Sequence, residues 1–482
     1  MKMVKSLLLG TAAGLVALTG AQAADLPVKA KPVQYVKICS LYGAGFYYIP
    51  GTDTCIKIGG FVRAEMNFNA NTSFAEFNRV NFDSRATNFT NTRARFAISA
   101  DARTQTEYGT LRSYLIIAEQ IDTGTPTSNP QGIGGSDVRA WSNAGFIQLA
   151  GFTAGATTSF FDFDTFSYSN QTNVLGSSWA GAGIPVFAYT AQFGNGLSAS
   201  ISAEGGGGEG RRSHILAFNP GITNSSAGYA GREIPDFVAN LRIDQAWGSA
   251  QIMGAVHDVR PQSYDLSGFG DAPDDKVGWA AGAGIKLNMP FFGAKDYVIT
   301  QFTYTEGALA YVGSGLAGIA GAGATPAYLV QTGTPGANLQ SAYGPVFDAT
   351  FGGPGTDLDL TKAWSVTAGF EHWWLANVRT SLYGAFAQFR YSDTSSARLA
   401  ASGAGGAAGI AGGTGSADWQ LWQVGSRTVW SPVQNLDLSV EVMYQGVETA
   451  FGSGTCNVAG TSCFDNKQWL SGMFRVQRNF YP

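Results

Sequence analysis

Charge is scarce in this chain. Of 482 residues only 13% are Asp, Glu, Lys or Arg, about half the ~25% usual for a soluble domain. Histidine is rarer still: His214, His257 and His372 are the only three, far apart in the sequence, and there are four cysteines. There is no basic excess. Net charge is −4, and it falls to −6 if Lys2 and Lys5 leave with an N-terminal signal. A nucleic-acid binder needs a positive field, so that class is excluded. Long apolar runs are missing too. Beyond the N-terminal segment no run reaches the ~18 apolar residues of a transmembrane helix. What the chain has instead is 64 glycines, 13% Phe, Tyr and Trp together, and a mean hydropathy of −0.01. Few charges, many aromatics and no net hydrophobicity suit a barrel with an apolar band outside and a wet bore inside.

The N-terminus reads as an export signal over residues 1–23. Lys2 and Lys5 precede an apolar run from Leu7 to Leu18, and Ala21-Gln22-Ala23 predicts cleavage before Ala24. The run is too short for a retained anchor. An exported chain without a membrane helix crosses a bilayer only as a closed barrel, because every backbone polar group there must be paired. Residues 24–54 contain Pro27, Pro32 and Pro50, have weak periodicity, and form a periplasmic lead-in. The cysteines fall in two close pairs, Cys39 with Cys55 and Cys456 with Cys463. An even count in an exported chain points to two disulfides. Three pairings are open, neighbour with neighbour being the simplest. Metal binding is disfavoured, since neither pair has C-x-x-C spacing and no histidine lies nearby.

From Cys55 to Pro482 the pattern is strand, turn, strand, loop. Ile56, Ile58, Val62, Ala64, Met66 and Phe68 alternate with Lys57, Arg63, Glu65 and Asn67, the period-two signature of a strand with one wet face. Sixteen such segments follow one another, from roughly 55–68 to 467–480. Short connections (104–109, 150–152, 194–196, 246–248, 290–294, 375–377 and 431–434) interleave with long ones, the longest being the Gly/Ala-rich stretches 307–361 and 392–417. Short periplasmic turns and long extracellular loops are the asymmetry of bacterial membrane barrels. The fold class is therefore all-β, a sixteen-stranded antiparallel transmembrane β-barrel. In its last strand Leu470, Phe474, Val476 and Phe480 face lipid, while Arg475, Gln477 and Asn479 face water. This strand is expected to pair with the first and so remove both open edges. Arg478 interrupts the lipid face near the periplasmic interface, where its head reaches the lipid headgroups.

Motifs for chemistry are sparse. Gly205 to Gly210 is glycine-rich, but no helix follows to bind phosphate. No Ser/His/acid spacing stands out. No enzyme activity and no cofactor is expected. The informative connection follows strand five, about 160–183, and opens Phe160-Phe161-Asp162-Phe163-Asp164-Thr165-Phe166-Ser167-Tyr168. Four Phe are misplaced in a water-bathed loop but sensible if it folds inward onto the barrel wall. Asp162 and Asp164 would then stand at the constriction, opposite inward-facing Arg63, Arg93, Arg95 and Arg112. Such an arrangement sets a transverse field on passing solutes.

The chain resembles the alphaproteobacterial porins of the rhizobial and Brucella type over essentially its whole length. The resemblance is carried by Ala24-Asp25-Leu26-Pro27-Val28, by the run Tyr42 to Cys55, by Ile58-Gly59-Gly60-Phe61-Val62-Arg63, and by Ser159-Phe160-Phe161-Asp162-Phe163 and Val424-Gly425-Ser426-Arg427. It implies a homotrimer in outer-membrane lipid that passes small hydrophilic solutes and ions, with the loop after strand five as its eyelet. The terminal strand, which the barrel assembly machinery is expected to read, runs past Phe480 to Tyr481 and Pro482. The rival reading is an outer-membrane scaffold or adhesin acting through its long extracellular loops.

Overall fold

The computed structural model describes residues 37–69, 89–122, 137–170, 175, 183–205, 213–218, 229–265, 270–313, 328–329, 342–401, 415–456 and 463–480. The expected export signal, residues 24–36 of the lead-in, and Tyr481 and Pro482 lie outside the described residues.

Sixteen strands make one closed wall: β1 Cys55–Phe68, β2 Thr90–Thr106, β3 Gly109–Asp122, β4 Asp137–Leu149, β5 Phe152–Thr157, β6 Ile184–Gly194, β7 Leu197–Glu204, β8 Asp236–Gln245, β9 Gly248–Val259, β10 Lys276–Asn288, β11 Tyr297–Glu306, β12 Lys362–Leu375, β13 Val378–Arg390, β14 Trp419–Val433, β15 Leu436–Glu448 and β16 Lys467–Asn479. Each pairs antiparallel with the next. β16 returns to β1 with Phe61 opposite Asn479 through to Phe68 opposite Gly472. Closure is what lets this chain sit in a bilayer, since the last strand pairs with the first. The seam has a steric lock. A Cβ on Gly60 would lie 2.4 Å from the Phe480 ring and 2.1 Å from the Ala97 carbonyl oxygen, so only glycine fits beneath that ring.

The two faces of the wall differ as alternation demands. Val62, Ile98, Ile117, Phe187, Ile252 and Leu382 are exposed on the outside. The outward residues of β1 and β2 carry no charge. A Lys or Arg there would cost about 2–4 kcal/mol at mid-membrane. Exposed rings mark the short-turn end, among them Tyr108, Phe193, Trp247, Phe291, Trp374 and Trp430, at the level where aromatic side chains favour the interface. The short turns use left-handed backbone. Gly194, Asn195 and Gly196 have φ of 82°, 49° and 74°, as tight hairpins require. Arg478 is exposed and its guanidinium donates to the Gln434 carbonyl in the turn before β15.

Inside, the uniformly wet bore expected from alternation gives way at the long-loop end of β12–β16. There Ala387, Phe389, Trp419, Leu421, Val447 and Trp469 pack with loop residues Leu309, Val312, Tyr343, Phe347, Leu399 and Phe451 in one buried cluster. Phe389 and Trp419 stack at 4.1 Å. The loop residues of 307–361 and 392–417 that belong to this cluster lie against the inner wall, and α1 (Asp393–Ala401) is part of that packing. The cysteines pair neighbour with neighbour, Cys39 with Cys55 and Cys456 with Cys463.

Candidate functional site

The chain leaves β5 and turns onto the inner wall at once. Glu204, fully buried at the end of β7, accepts from the Ser159 hydroxyl at 2.6 Å and the Phe160 amide at 2.9 Å. Asn240 on β8 donates to the Phe160 carbonyl at 2.6 Å. Gln301 on β11 then accepts from the amides of both Phe163 (3.0 Å) and Asp164 (2.9 Å). At the far end Glu441 on β15 accepts from the Ser169 hydroxyl (2.6 Å), the Asn170 amide (2.7 Å) and the Tyr383 hydroxyl. Arg475 on β16 donates to both the side-chain and backbone oxygens of Asn170, at 2.8 and 2.7 Å. Arg427 on β14 donates to the Ser167 carbonyl at 3.0 Å. Each buried carboxylate or amide here would be costly unpaired, so the wall and the segment satisfy one another.

The rings anchor the same segment by shape. Phe161, Phe163, Phe166 and Tyr168 are buried among Val238, Met253, Ala280, Ile299 and Tyr383 of the inner wall. Glycines make room for them. A Cβ on Gly284 would sit 2.2 Å from the Phe163 ring, and one on Gly369 would sit 2.4 Å from the Tyr168 ring. Glycine within a strand weakens it and marks a close approach, and here the approach is an aromatic ring. Gly282 and Gly284 both fall on the inner face of β10, beside the Phe161 and Phe163 rings. That was the signal in the sequence for where this segment lies, and alternation alone did not use it.

The acids and arginines singled out from the sequence do not form a single opposed set. Asp164 is turned into the segment, 1% exposed. Its carboxylate accepts from the Phe166 amide (2.9 Å), the Tyr168 hydroxyl (2.7 Å) and the Thr367 hydroxyl (3.3 Å). Burial pushes this carboxyl above the usual carboxylate range, against those donated bonds, and burial also raises the Tyr168 hydroxyl. Asp162 is half-buried, and Thr165 and Ser167 are exposed. On the wall, Arg63 stands opposite Arg95, and Arg93 opposite Glu65. Arg63 donates to Gln477 at 2.7 Å and Arg95 to Gln120 at 2.6 Å. Glu65 lies 2.5 Å from Arg475, so this arc continues into the arginines that hold Asn170. Arg112 departs from the group. It pairs with Arg103, which sits opposite Cys55, while Arg95 sits opposite Arg63. Eight residues of strand at ~3.3 Å each put it about 26 Å along the wall, near the short-turn end.

The structure also brings together a serine, a histidine and an acid that no spacing revealed. The Ser213 Oγ lies 2.7 Å from His257 Nε2, and His257 Nδ1 lies 2.8 Å from Asp236 Oδ1. The geometry is that of a hydrolytic triad, but Ser213 is buried and its hydroxyl donates to the Asp258 carbonyl at 2.7 Å. Tyr311 donates to the other Asp236 oxygen at 2.7 Å. The set ties residues 213 and 311 to the ends of β8 and β9, and all four side chains are buried.

Comparison with known proteins agrees with this architecture. The model of the Porin subfamily matches residues 25–473. A porin, Omp2b, of Brucella suis is 35% identical over 262 residues, which is 52% of this chain and 65% of the relative. Porin Omp2b of Brucella abortus (strain 2308) is 33% identical over 260 residues, again 52% and 65%. The chain thus spans just under two thirds of the length of the curated relatives it matches. Among solved structures, the outer membrane channel DcaP of Acinetobacter baumannii shares the fold with a TM-score of 0.57 at 15% identity, covering 90% of this chain and 99% of that one.

Proposed function

Since the chain belongs to the Porin subfamily, we infer that it is an outer-membrane porin, a passive water-filled channel for small hydrophilic solutes and ions. The observation that carries this reading is a closed sixteen-strand wall with a segment after β5 bound across its inner face. A rigid cross-piece narrows a bore without sealing it. Size and charge at that level then set what passes. Asp162 is half-buried and Thr165 and Ser167 are exposed, so these three side chains of the segment reach the bore. Opposite them the basic arc of Arg63, Arg93 and Arg95 supplies the other pole of a transverse field. Asp164 has no part in that field, because its charge is spent inside the segment. The assembly is a homotrimer embedded in outer-membrane lipid and delivered by the barrel assembly machinery. The described parts of the long loops favour the channel over the adhesin reading, since they pack into the barrel mouth.

Purified protein in a planar bilayer is expected to give discrete, ohmic conductance steps. Absence of any stable conductance from folded, heat-modifiable protein would overturn the channel. Asp162→Lys is expected to shift the reversal potential in a KCl gradient toward anions; an unmoved potential would remove Asp162 from the constriction.

A further inference from the structure

Arg112 led to the short-turn end of the bore, and a second built arrangement lies there. The odd-numbered residues of β1 face inward, and Cys55 and Lys57 are the lowest of them. Cys55 holds Cys39, so the disulfide lies on the inner face and draws residues 37–48 under the wall. Those residues form a self-closed hairpin. The Cys39 amide donates to the Phe46 carbonyl and the Tyr48 amide to the Lys37 carbonyl, both at 2.9 Å. Only Tyr47 and Tyr48 join the sheet, opposite Ile56 and Cys55, on the stretch of β1 edge that β16 leaves uncovered. The rings of the hairpin turn to inward-facing cations. Arg103 lies 4.9 Å from the Phe46 centroid and 5.6 Å from that of Tyr42, and Lys57 donates to the Ala44 carbonyl at 3.3 Å. Beside them Arg112 lies within 5.4 Å of the centroids of both Tyr114 and Phe146. One carboxylate, Asp101, serves both Arg103 (2.7 Å) and Arg112 (3.0 Å). On this side of the mouth three inward cations, Lys57, Arg103 and Arg112, stand against one inward acid, Asp101; Lys37 and Asp53 of the hairpin region offset each other.

We propose that residues 37–54 form a second narrowing at the periplasmic mouth, a cation-and-aromatic-lined collar that favours anionic solutes, held in place by the Cys39–Cys55 disulfide. This rests on the channel reading above. The inward loop sets a first filter, and the collar sets a second about 26 Å along the wall. The collar leans on its covalent tie because the other links described are two ladder residues, the Lys57 bond to the Ala44 carbonyl, a Thr54–Thr104 hydroxyl bond and ring-over-cation contacts.

The test is single-channel recording of the full chain in KCl. The double variant Cys39→Ser with Cys55→Ser is expected to raise conductance by about 1.5-fold and to lower chloride preference in a KCl gradient. A second variant, Tyr42→Ala with Phe46→Ala, keeps the disulfide but strips the rings from Arg103; it is expected to shift the reversal potential in the same direction by less. If both variants form channels with unchanged conductance and reversal potential, the collar is overturned while the porin reading stands. A wild-type protein with no conductance overturns the porin reading itself.

Discussion

Two segments of this chain lie against the inner wall, and they are held there by opposite means. Residues 159–170 are bound by many modest contacts to side chains of seven strands: Glu204, Asn240, Gln301, Thr367, Arg427, Glu441 and Arg475. Four buried rings add to these, three of them (Phe161, Phe163 and Tyr168) beside glycines. Residues 37–48 are bound by one covalent bond, two ladder residues, the Lys57 bond to Ala44 and a few ring contacts. Distributed anchoring makes a segment's position insensitive to most single losses, and a single tie makes it switchable. The wall strands therefore carry the cost of the first arrangement, in glycines that weaken a sheet and in buried carboxylates that must find partners.

The comparison can be broken most sharply at the glycines. Gly369→Leu forces a side chain into the space of the Tyr168 ring. Overpacking of this kind costs about 1–3 kcal/mol, and expulsion of the segment is the easiest relief. A markedly larger, noisier conductance is expected, with a barrel that still shifts on a heat-modifiability gel; unchanged channel steps would mean that the ring yields instead. Glu441→Ala comes next. It leaves Ser169, the Asn170 amide and Tyr383 without their acceptor, a loss of about 1–3 kcal/mol. Flicker in the open state and faster amide exchange around residue 170 are expected, and conductance close to wild type, since the other anchors remain.

A subtler effect concerns Asp164. Burial raises its carboxyl above the usual range, so the folded state binds that proton more tightly than the unfolded state does. Stability is then fully present below the usual carboxylate pKa and is lost as pH rises through the raised value. Urea midpoints taken across this acidic window should fall with rising pH in the wild type and fall less in Asp164→Asn. Identical pH profiles would show that the donated bonds outweigh burial. The smallest effect is expected at Cys456 and Cys463, which are 7 positions apart in the sequence and lie at the other mouth. Changing both to Ser should leave conductance and selectivity where they are, in contrast to the Cys39 and Cys55 pair.

The fold was legible because it is written locally. Alternation in each strand and the spacing of turns can be read without knowing what lies opposite. Closure of the last strand on the first followed from those alone. The candidate site was legible in part. Phe160, Phe161, Phe163 and Phe166 in a loop signalled a need for a wall, and the rings of Phe161, Phe163 and Phe166 are buried against one. The direction of Asp164 was not legible, because it is set by Thr367, 203 residues away, and by a tyrosine four residues on. Arg112 was misgrouped because four arginines on neighbouring strands look equivalent until the register counts them from the turn. The apolar inner wall near Trp419 and Leu421 was masked by the outward Trp422 and Val424 beside them, since a strand apolar on both faces has no period to read.

The Gly60 and Phe480 lock has a bearing on biogenesis. Fifteen of the sixteen ladders join strands that are neighbours in sequence, and can form as the chain is supplied. The sixteenth joins residues more than 400 apart, and its ring comes from position 480. Such a contact is the slowest to find and the last to become available. Until β16 meets β1, both strands present bare backbone to any passing strand. A chain cut just before Phe480 would keep its ladder contacts and lose the ring that seats over Gly60 at the seam.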